Sequence, residues 1–325
     1  MISEGKNMQQ ACVLKVSGRT LQLYDGQIFQ ASAASRALKP IVGDIVTLEC
    51  CRGQNLVRAI KPRRNCLTRT FGTLDKEVVA NLDRLFLVCA GGALFNTSVI
   101  DRVLCIAWRE KVPVTLVLNK CDLGPEPRFD IYKSAGVGLL ELSARFGQGF
   151  ERLEAALLAP VLGFTALCGV SGVGKSTILN RLVPDAGRKT AEVSVKTGQG
   201  RQTTSEIVAY LYRRTELSPL LIADLPGVQY FGVSHLSIAD VALSFPEFAG
   251  LRELCEYADC LHAAEPRCAV KTAVEAGKLA ASRYESYLGM LSELQQMPEA
   301  RKYRKRKPGE RPLQAAFKGV KDSRE

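Results

Sequence analysis

The sequence of 325 residues lacks any apolar stretch long enough to cross a membrane. No run approaches the roughly 18 apolar residues that a membrane-spanning helix requires, which argues against an integral helical membrane protein. The opening residues, MISEGKNMQQ, also lack a basic segment followed by an apolar one, so no export signal is expected. We therefore predict a soluble cytoplasmic protein, expected to be a monomer without a membrane partner.

Histidine is scarce, with two residues, and the eleven cysteines are an odd number. The cysteines are scattered through apolar segments, as at Cys89, Cys105 and Cys168. This distribution suits free thiols in a reducing compartment better than a disulfide framework. An internal repeat is lacking as well, so a repeat architecture is not expected.

The middle of the chain has almost no net charge, although the whole chain carries +11. Residues 67–299 hold 24 Lys and Arg against 26 Asp and Glu. Residues 1–66 hold ten against four, and residues 300–325 hold ten against three. Two basic ends around a neutral middle fit a catalytic unit carried between segments that bind polyanions. Charge alone fits equally well with basic ends that only keep the protein soluble.

Two rhythms of secondary structure divide the chain. Five short apolar or alternating segments between residues 8 and 66 are separated by turn residues, which predicts a small barrel such as an OB-fold or an SH3-like barrel. From about 80 to 245, strands alternate with helices, as in a doubly wound parallel sheet. The predicted units are a barrel at 1–66, a nucleotide-binding domain at 67–245, a helical metal-binding domain at 246–299 and a flexible basic tail at 300–325.

A glycine-rich loop at residues 169–176, GVSGVGKS, matches the pattern GxxxxGK[ST] between a predicted strand and a predicted helix. Backbone N–H groups of such a loop converge on phosphate oxygens, and the helix N-terminus adds a favourable dipole. Lys175 would reach the β- and γ-phosphates, and Ser176 would ligate Mg²⁺. The residues predicted to bind the phosphates are Gly169, Val170, Ser171, Gly172, Val173, Gly174, Lys175, Ser176 and Thr177.

An acidic residue follows another apolar strand at Asp224, with Gly227 three residues on. Such a pair can hold the Mg²⁺ shell and contact the γ-phosphate through the backbone. The polar stretch between the two motifs contains Thr203 and Thr204, and a threonine there could complete the metal shell when the γ-phosphate is present. Which of the two threonines would do so stays open.

A base-recognition motif lies at residues 119–122, NKCD, after an apolar strand. The carboxylate of Asp122 can accept hydrogen bonds from guanine N1–H and N2–H₂, a donor pair that adenine lacks, so the motif predicts GTP. Asn119 would tie this loop to the glycine-rich loop, while the stem of Lys120 covers the base. Ser143 and Ala144 resemble a loop whose backbone amide contacts guanine O6.

The order of these motifs is unusual, because both base loops precede the glycine-rich loop. Most GTPase domains run from the phosphate loop to the base loops. The same sheet can form from either order, since the termini of compact domains often lie close together and can be rejoined elsewhere. We therefore predict a circularly permuted GTPase in which the segment after Asp224 leads directly into the C-terminal domain.

A compact group of soft ligands lies in the C-terminal part, at Cys255, Cys260, His262 and Cys268. Three thiolates and one imidazole within fourteen residues form a tetrahedral Zn²⁺ set, and a closed set of four indicates a structural ion. The alternative is three buried thiols beside a surface histidine.

The combination of motifs resembles the family of ribosome-small-subunit-dependent GTPases, RsgA or YjeQ. Further shared segments are VGD at 42–44, IKPRRN at 60–65, ANLD at 80–83, GRQTT at 200–204 and AVK at 269–271. The resemblance implies an OB-fold, a permuted GTPase domain that hydrolyses GTP to GDP and phosphate, and a zinc domain. It also implies action late in maturation of the small ribosomal subunit, stimulated by that subunit, with the subunit and its rRNA as partners.

One position departs from the family pattern. The family usually has a histidine where this chain has Gln202, and Ras-type enzymes place a glutamine where this chain has Val228. Our hypothesis is that the amide of Gln202 orients the attacking water, the alternative being a solvated loop residue. A nucleotide-gated rRNA-binding module with incidental hydrolysis therefore remains a second functional interpretation. A large-subunit assembly GTPase is disfavoured by the barrel and the cysteine–histidine group.

The basic run at 301–307 is interpreted as an RNA-binding tail, or else as a solubility tail.

Overall fold

The computed structural model describes residues 9–71, 74–158, 163–184, 207–212, 219–228 and 231–297. The strands in chain order are β1 Gln9–Ser17, β2 Thr20–Tyr24, β3 Ile28–Ala33, β4 Ile45–Cys51, β5 Gln54–Ile60, β6 Cys66–Phe71, β7 Leu74–Ala80, β8 Arg84–Ala90, β9 Val114–Asn119, β10 Gly138–Leu142, β11 Phe164–Cys168, β12 Val208–Tyr212 and β13 Leu220–Leu225. The α-helices are α1 Thr97–Arg109, α2 Phe150–Leu158, α3 Lys175–Leu182, α4 Ile238–Leu243, α5 Ala249–Arg252, α6 Ala269–Glu275 and α7 Ala281–Gln295. Short 3-10 helices occur at Gly92–Leu94, Cys121–Leu123, Pro127–Lys133 and Pro246–Phe248.

The first five strands close into a small barrel. Strand β1 pairs with both β2 and β4, β2 pairs with β3, and β5 joins β3 to β4. Alternate residues such as Val13, Leu21 and Val46 point inward and form a separate apolar core. The alternation of these segments in the sequence matches the side-chain period of two in a strand, and the predicted five-stranded barrel is confirmed.

The barrel meets the next unit at Gly43. This residue has a positive φ of 88°, and a Cβ there would lie 2.1 Å from the carbonyl oxygen of Ala80. Both the backbone conformation and the close approach therefore require glycine. The adjacent Asp44 is fully buried and accepts two hydrogen bonds from Arg63, at 2.7 and 2.9 Å.

The second unit is a sheet in the order β10-β9-β8-β11-β13-β12, parallel except for β12. Strand β8 is apolar at successive positions because both of its faces are buried. Leu85 and Leu87 belong to the core on the side of α1, whereas Phe86 and Val88 belong to the core on the side of α2 and α3. The predicted doubly wound sheet is confirmed.

The two units form one continuous sheet of eleven strands, since Lys15 of β1 pairs with Val208 of β12. Between them lies an antiparallel hairpin, β6 with β7, which the sequence did not predict. Strand β12 is the edge strand of the second unit, and it pairs with β1 of the barrel.

The C-terminal helices pack on α1 through a buried ionic contact. Arg283 of α7 donates to Asp101 of α1 at 2.6 Å and to Glu247 at 2.7 Å. All three groups are almost fully removed from solvent, and the Arg283 guanidinium also covers the ring of Phe245 at 4.5 Å. Among the described helices, none is both long and apolar enough to pass through a bilayer.

Candidate nucleotide site and metal centre

The glycine-rich loop connects β11 to α3 through backbone positions that only glycine satisfies. A Cβ on Gly169 would lie 2.2 Å from the carbonyl oxygen of Val88, and one on Gly174 would lie 2.3 Å from the side-chain nitrogen of Asn119. Gly174 also has a positive φ of 95° and stands immediately before the first residue of α3. The loop thereby turns sharply and presents the N–H groups of the first turn of α3 at the carboxyl edge of the sheet.

The ammonium group of Lys175 is folded back over this loop. It donates to the carbonyl oxygens of Gly169 at 2.8 Å and Val170 at 3.0 Å. Burial lowers the pKa of Lys175, and the negative charge of Asp224 opposes that shift. The hydroxyl-bearing residues Ser176 and Thr177 are exposed at the start of α3. A cation and exposed donors thus surround the position that a phosphate chain would take.

Asn119 joins three loops that are far apart in the chain. Its side-chain nitrogen donates to the carbonyl of Val173 in the glycine-rich loop at 2.8 Å. Its side-chain oxygen accepts from the backbone N–H of Ala144 at 2.9 Å, and Asn119 itself is 2% exposed. The structure therefore brings residues 119–122, residues 143–144 and the glycine-rich loop together at one edge of the sheet.

Other base-loop residues differ in exposure. Lys120 adopts a left-handed backbone conformation with φ of 64°, and Asp122 is exposed in the turn that follows. Ser143 is fully buried, and its hydroxyl oxygen accepts from the N–H of Phe146 at 3.4 Å. The sequence analysis predicted that a backbone amide of this loop contacts guanine O6. In this structure the N–H of Ala144 donates to the side-chain oxygen of Asn119. The carboxylate of Asp122 belongs to an exposed residue and can therefore accept hydrogen bonds from a bound base.

Asp224 lies on β13 beside the strand that leads into the glycine-rich loop, paired in register with Leu167. Its Oδ1 atom is buried and has no hydrogen-bond partner in the described part of the chain. Burial raises the pKa of this carboxyl, while the charges of Lys175 and Arg69 oppose that shift. An orphaned carboxylate oxygen on Asp224 and the exposed hydroxyl of Ser176 are both hard oxygen donors, the kind of ligand that Mg²⁺ prefers.

Three residues predicted to act in catalysis, Gln202, Thr203 and Thr204, lie outside the described residues, as does the basic tail at 300–325. Gly227 is described and has a positive φ of 72°. It is followed by Val228, which is buried.

The four predicted metal ligands converge in the C-terminal part. The ligand atoms of Cys255, Cys260, His262 and Cys268 all lie within 4.8 Å of one another. Nδ1 of His262 is 3.6 Å from the sulfur of Cys255 and 3.4 Å from that of Cys268, and these two sulfurs are 3.9 Å apart. Tetrahedral Zn²⁺ with its usual bond lengths separates two sulfurs by about 3.8 Å and sulfur from nitrogen by about 3.6 Å. The donor set fits a zinc ion, with Nδ1 as the ligating nitrogen.

Aromatic side chains support the loop that carries His262. Tyr284 donates its hydroxyl to the carbonyl of His262 at 2.6 Å, and Tyr287 donates to that of Leu261 at 2.7 Å. The carboxylate of Glu265 accepts from the backbone of Leu261 and Ala263 at 3.0 and 2.9 Å. Because both tyrosines lie on α7, the metal centre and the helix that contacts α1 form one packed unit.

The geometry agrees with comparisons to known proteins. A family model described as RsgA GTPase matches residues 60–234, more than half of the chain. The chain belongs to the RsgA GTPase family. A relative from Bordetella pertussis, named small ribosomal subunit biogenesis GTPase RsgA, is 36% identical over 296 residues, which cover 88% of this chain and 97% of the relative. An RsgA from Actinobacillus succinogenes is 32% identical over 280 residues, which cover 82% of this chain and 78% of the relative.

Two solved structures share the fold. The crystal structure of YjeQ from Thermotoga maritima aligns with a TM-score of 0.69 at 26% identity, over 90% of this chain and all of that one. YloQ, described as a circularly permuted GTPase, aligns with a TM-score of 0.66 at 22% identity, over 92% of this chain and 99% of YloQ. The predicted family, the permuted fold and the class of enzyme, a GTPase, are confirmed.

The sequence did not reveal two arginines of this RsgA GTPase that the structure buries. Arg69 lies on the unpredicted hairpin near Asp224, and Arg283 lies on α7 against α1. A single arginine in a strand or helix forms no motif, so its burial emerges only from the packing of distant segments.

Proposed function

We propose that this RsgA GTPase binds GTP between the loop at 119–122 and the glycine-rich loop, and hydrolyses it to GDP and phosphate during late maturation of the small ribosomal subunit. The observation that carries the proposal is the buried side chain of Asn119, which links both loops. One nucleotide can then contact Asp122 with its base and Lys175 with its phosphates. The printed names of the relatives, small ribosomal subunit biogenesis GTPase, support the subunit as the partner.

Within this site, the exposed carboxylate of Asp122 would choose guanine over adenine, because it accepts from two donors that adenine lacks. The ammonium group of Lys175 would exchange its hydrogen bonds to the carbonyls of Gly169 and Val170 for bonds to the β- and γ-phosphates. The phosphates are charged and therefore stronger acceptors. The backbone of Gly227 would contact the γ-phosphate. The side chain of Gln202 would orient the attacking water, with Thr203 or Thr204 completing the metal shell.

Ser176 and Asp224 would hold Mg²⁺ in this site. The ion, when bound, supplies positive charge to the phosphates during transfer. The unpartnered Oδ1 of Asp224 supports this assignment, since a buried carboxylate oxygen normally has a partner.

The C-terminal cluster would hold one structural Zn²⁺ through Cys255, Cys260, His262 and Cys268. A closed shell of four protein ligands leaves no position for a substrate, so the ion would maintain the fold of residues 246–299. The basic segments 1–66 and 300–325 would contact rRNA through phosphates. We infer a cytoplasmic protein that acts as a monomer.

The test is GTP turnover by the purified protein with and without isolated small ribosomal subunits. We expect the subunits to accelerate hydrolysis, with large subunits and ATP as negative controls. Absence of acceleration would favour the second candidate, a nucleotide-gated rRNA-binding module. That candidate is kept because Val228, buried after Gly227, replaces the glutamine that orients water in Ras-type enzymes. Gln202→Ala should lower the stimulated rate, and an unchanged rate would remove Gln202 from the mechanism.

A further inference from the structure

The backbone at His262 has an unusual conformation that the surrounding contacts must maintain. Its φ of 59° lies in the left-handed region, which residues other than glycine adopt uncommonly. Such a conformation is unfavourable by itself and persists only where neighbouring groups impose it. His262 is 1% exposed, and its Nδ1 lies 3.6 Å from the sulfur of Cys255 and 3.4 Å from that of Cys268. The backbone conformation therefore accompanies the direction in which this imidazole meets the other ligands.

Glu265 binds the backbone on both sides of His262. Its Oε1 atom accepts from the N–H of Leu261 at 3.0 Å, and its Oε2 atom accepts from the N–H of Ala263 at 2.9 Å. Hydrogen bonds to a charged carboxylate are stronger than those between neutral groups. The backbone carbonyl of Glu265 accepts in turn from Lys271 on α6 at 3.3 Å. A single anchored side chain thus fixes both peptide groups that flank the histidine.

The carbonyl groups of the same loop are held by α7. Tyr284 donates to the carbonyl of His262 at 2.6 Å, and Tyr287 donates to that of Leu261 at 2.7 Å. The N–H of His262 donates to the sulfur of Cys260 at 3.4 Å. Four of the five hydrogen bonds made to residues 261–263 therefore come from side chains that are not metal ligands. The protein itself can give this loop its shape before an ion arrives.

We propose that Glu265 is a positioning residue for the zinc ion, because its carboxylate holds the backbone of residues 261–263 in the conformation that presents Nδ1 of His262. The inference rests on the proposed zinc site. The apparent affinity for an ion falls with the fraction of chains whose loop is ready to bind it. A purely structural role, in which Glu265 stabilises the metal-free and zinc-bound forms equally, would leave the zinc affinity unchanged.

The experiment measures the zinc affinity of the full-length wild type, Glu265→Gln and Glu256→Gln by competition with a chromophoric chelator. Glutamine keeps one acceptor oxygen but turns an amide donor towards the second backbone N–H. Glu256 is the matched control for loss of charge, because it is exposed, directly follows the ligand Cys255 and pairs with Arg267 at 2.6 Å. We expect Glu265→Gln to lower the zinc affinity by about tenfold to a hundredfold, as losses of outer-shell partners do, and Glu256→Gln to match the wild type.

The visible absorption of bound Co²⁺ in place of zinc gives a second readout, since it reports the tetrahedral geometry of the ligands. It should change in Glu265→Gln and stay as in the wild type in Glu256→Gln. Circular dichroism with saturating zinc checks folding, and Glu265→Asp, which keeps the charge on a shorter side chain, replaces Glu265→Gln if the latter does not fold.

A folded Glu265 variant that binds zinc as tightly as the wild type would overturn the inference, as would an equal loss in Glu256→Gln. A wild type that binds no zinc would remove the proposed zinc site and this inference together. The proposed GTPase function is judged separately, by the turnover of the wild type with small subunits.

Discussion

Replacing Asn119 by alanine should loosen the three loops that its side chain joins. The substitution removes the donor to the carbonyl of Val173 and the acceptor for the N–H of Ala144, at 2.8 and 2.9 Å. Because Asn119 is 2% exposed, little water can replace these bonds in the folded protein. Two buried backbone groups are left unpaired in Asn119→Ala.

The magnitude follows from these two bonds. An unsatisfied buried polar group costs about 1–3 kcal/mol, so two of them should lower the free energy of unfolding by about 2–6 kcal/mol. The affinities for GTP and GDP should fall together, because the loops that hold base and phosphates lose their common tie.

Urea unfolding provides the assay, followed by the fluorescence of Trp108. This residue is the single tryptophan of the chain and lies on α1, half-exposed, within the GTPase unit. Asn180→Ala is the matched control, because Asn180 is an exposed asparagine on α3, the helix that follows the glycine-rich loop. If the free energy of unfolding of Asn119→Ala lies within about 0.5 kcal/mol of that of the control, the side chain of Asn119 does not tie the loops together, since surface substitutions fall in that range.

Two other predictions concern the C-terminal unit. Arg283→Met leaves Asp101 and Glu247 buried without their guanidinium, so the free energy of unfolding at pH 7 should fall by about 3–5 kcal/mol. Burial raises the pKa of Asp101, and the charge of Arg283 opposes this shift. Removing Arg283 should therefore raise the pKa of Asp101 further. A carboxyl whose folded pKa is raised favours folding only when protonated. The deficit of the variant should therefore shrink as the pH falls from 7 towards the unfolded value of about 4, and a constant deficit in urea titrations would contradict this. Cys260→Ser removes one of four ligands, so metal analysis should give less than one Zn²⁺ per chain, whereas the exposed Cys50→Ser should retain it. Equal zinc contents would refute the ligand assignment.

Local patterns in the sequence predicted much of this architecture. The alternation of apolar and polar residues in segments such as TLQLY predicted the barrel strands. The apolar runs before residues 119 and 169 predicted buried parallel strands. Each pattern reflects a short-range cause, either the period of two in a strand or the burial of both faces of a sheet. The four ligands of the metal cluster also lie close in sequence, within residues 255–268.

Contacts between distant segments could not be predicted in this way. Arg283 and Asp101 are 182 positions apart, and Thr70 and Ser234 are 164 positions apart. Neither pair carries a periodic or motif signal, because each residue is unremarkable beside its own neighbours in the chain. The hairpin of β6 and β7, which buries Arg69, was missed for the same reason.

The proposed site requires that one nucleotide contacts Asp122 and Lys175 at the same time. Competition binding of GTP, ATP and xanthosine triphosphate, measured on the wild type and on Asp122→Asn, tests it most directly. The wild type should prefer GTP over ATP by about a thousandfold or more, since a polar site rejects a base that leaves its carboxylate unpaired. Asp122→Asn should lose that preference and gain affinity for xanthosine triphosphate, whose base offers an acceptor in place of the amino group. Equal binding of GTP and ATP by the wild type, or an unchanged order of preference in Asp122→Asn, would contradict the account.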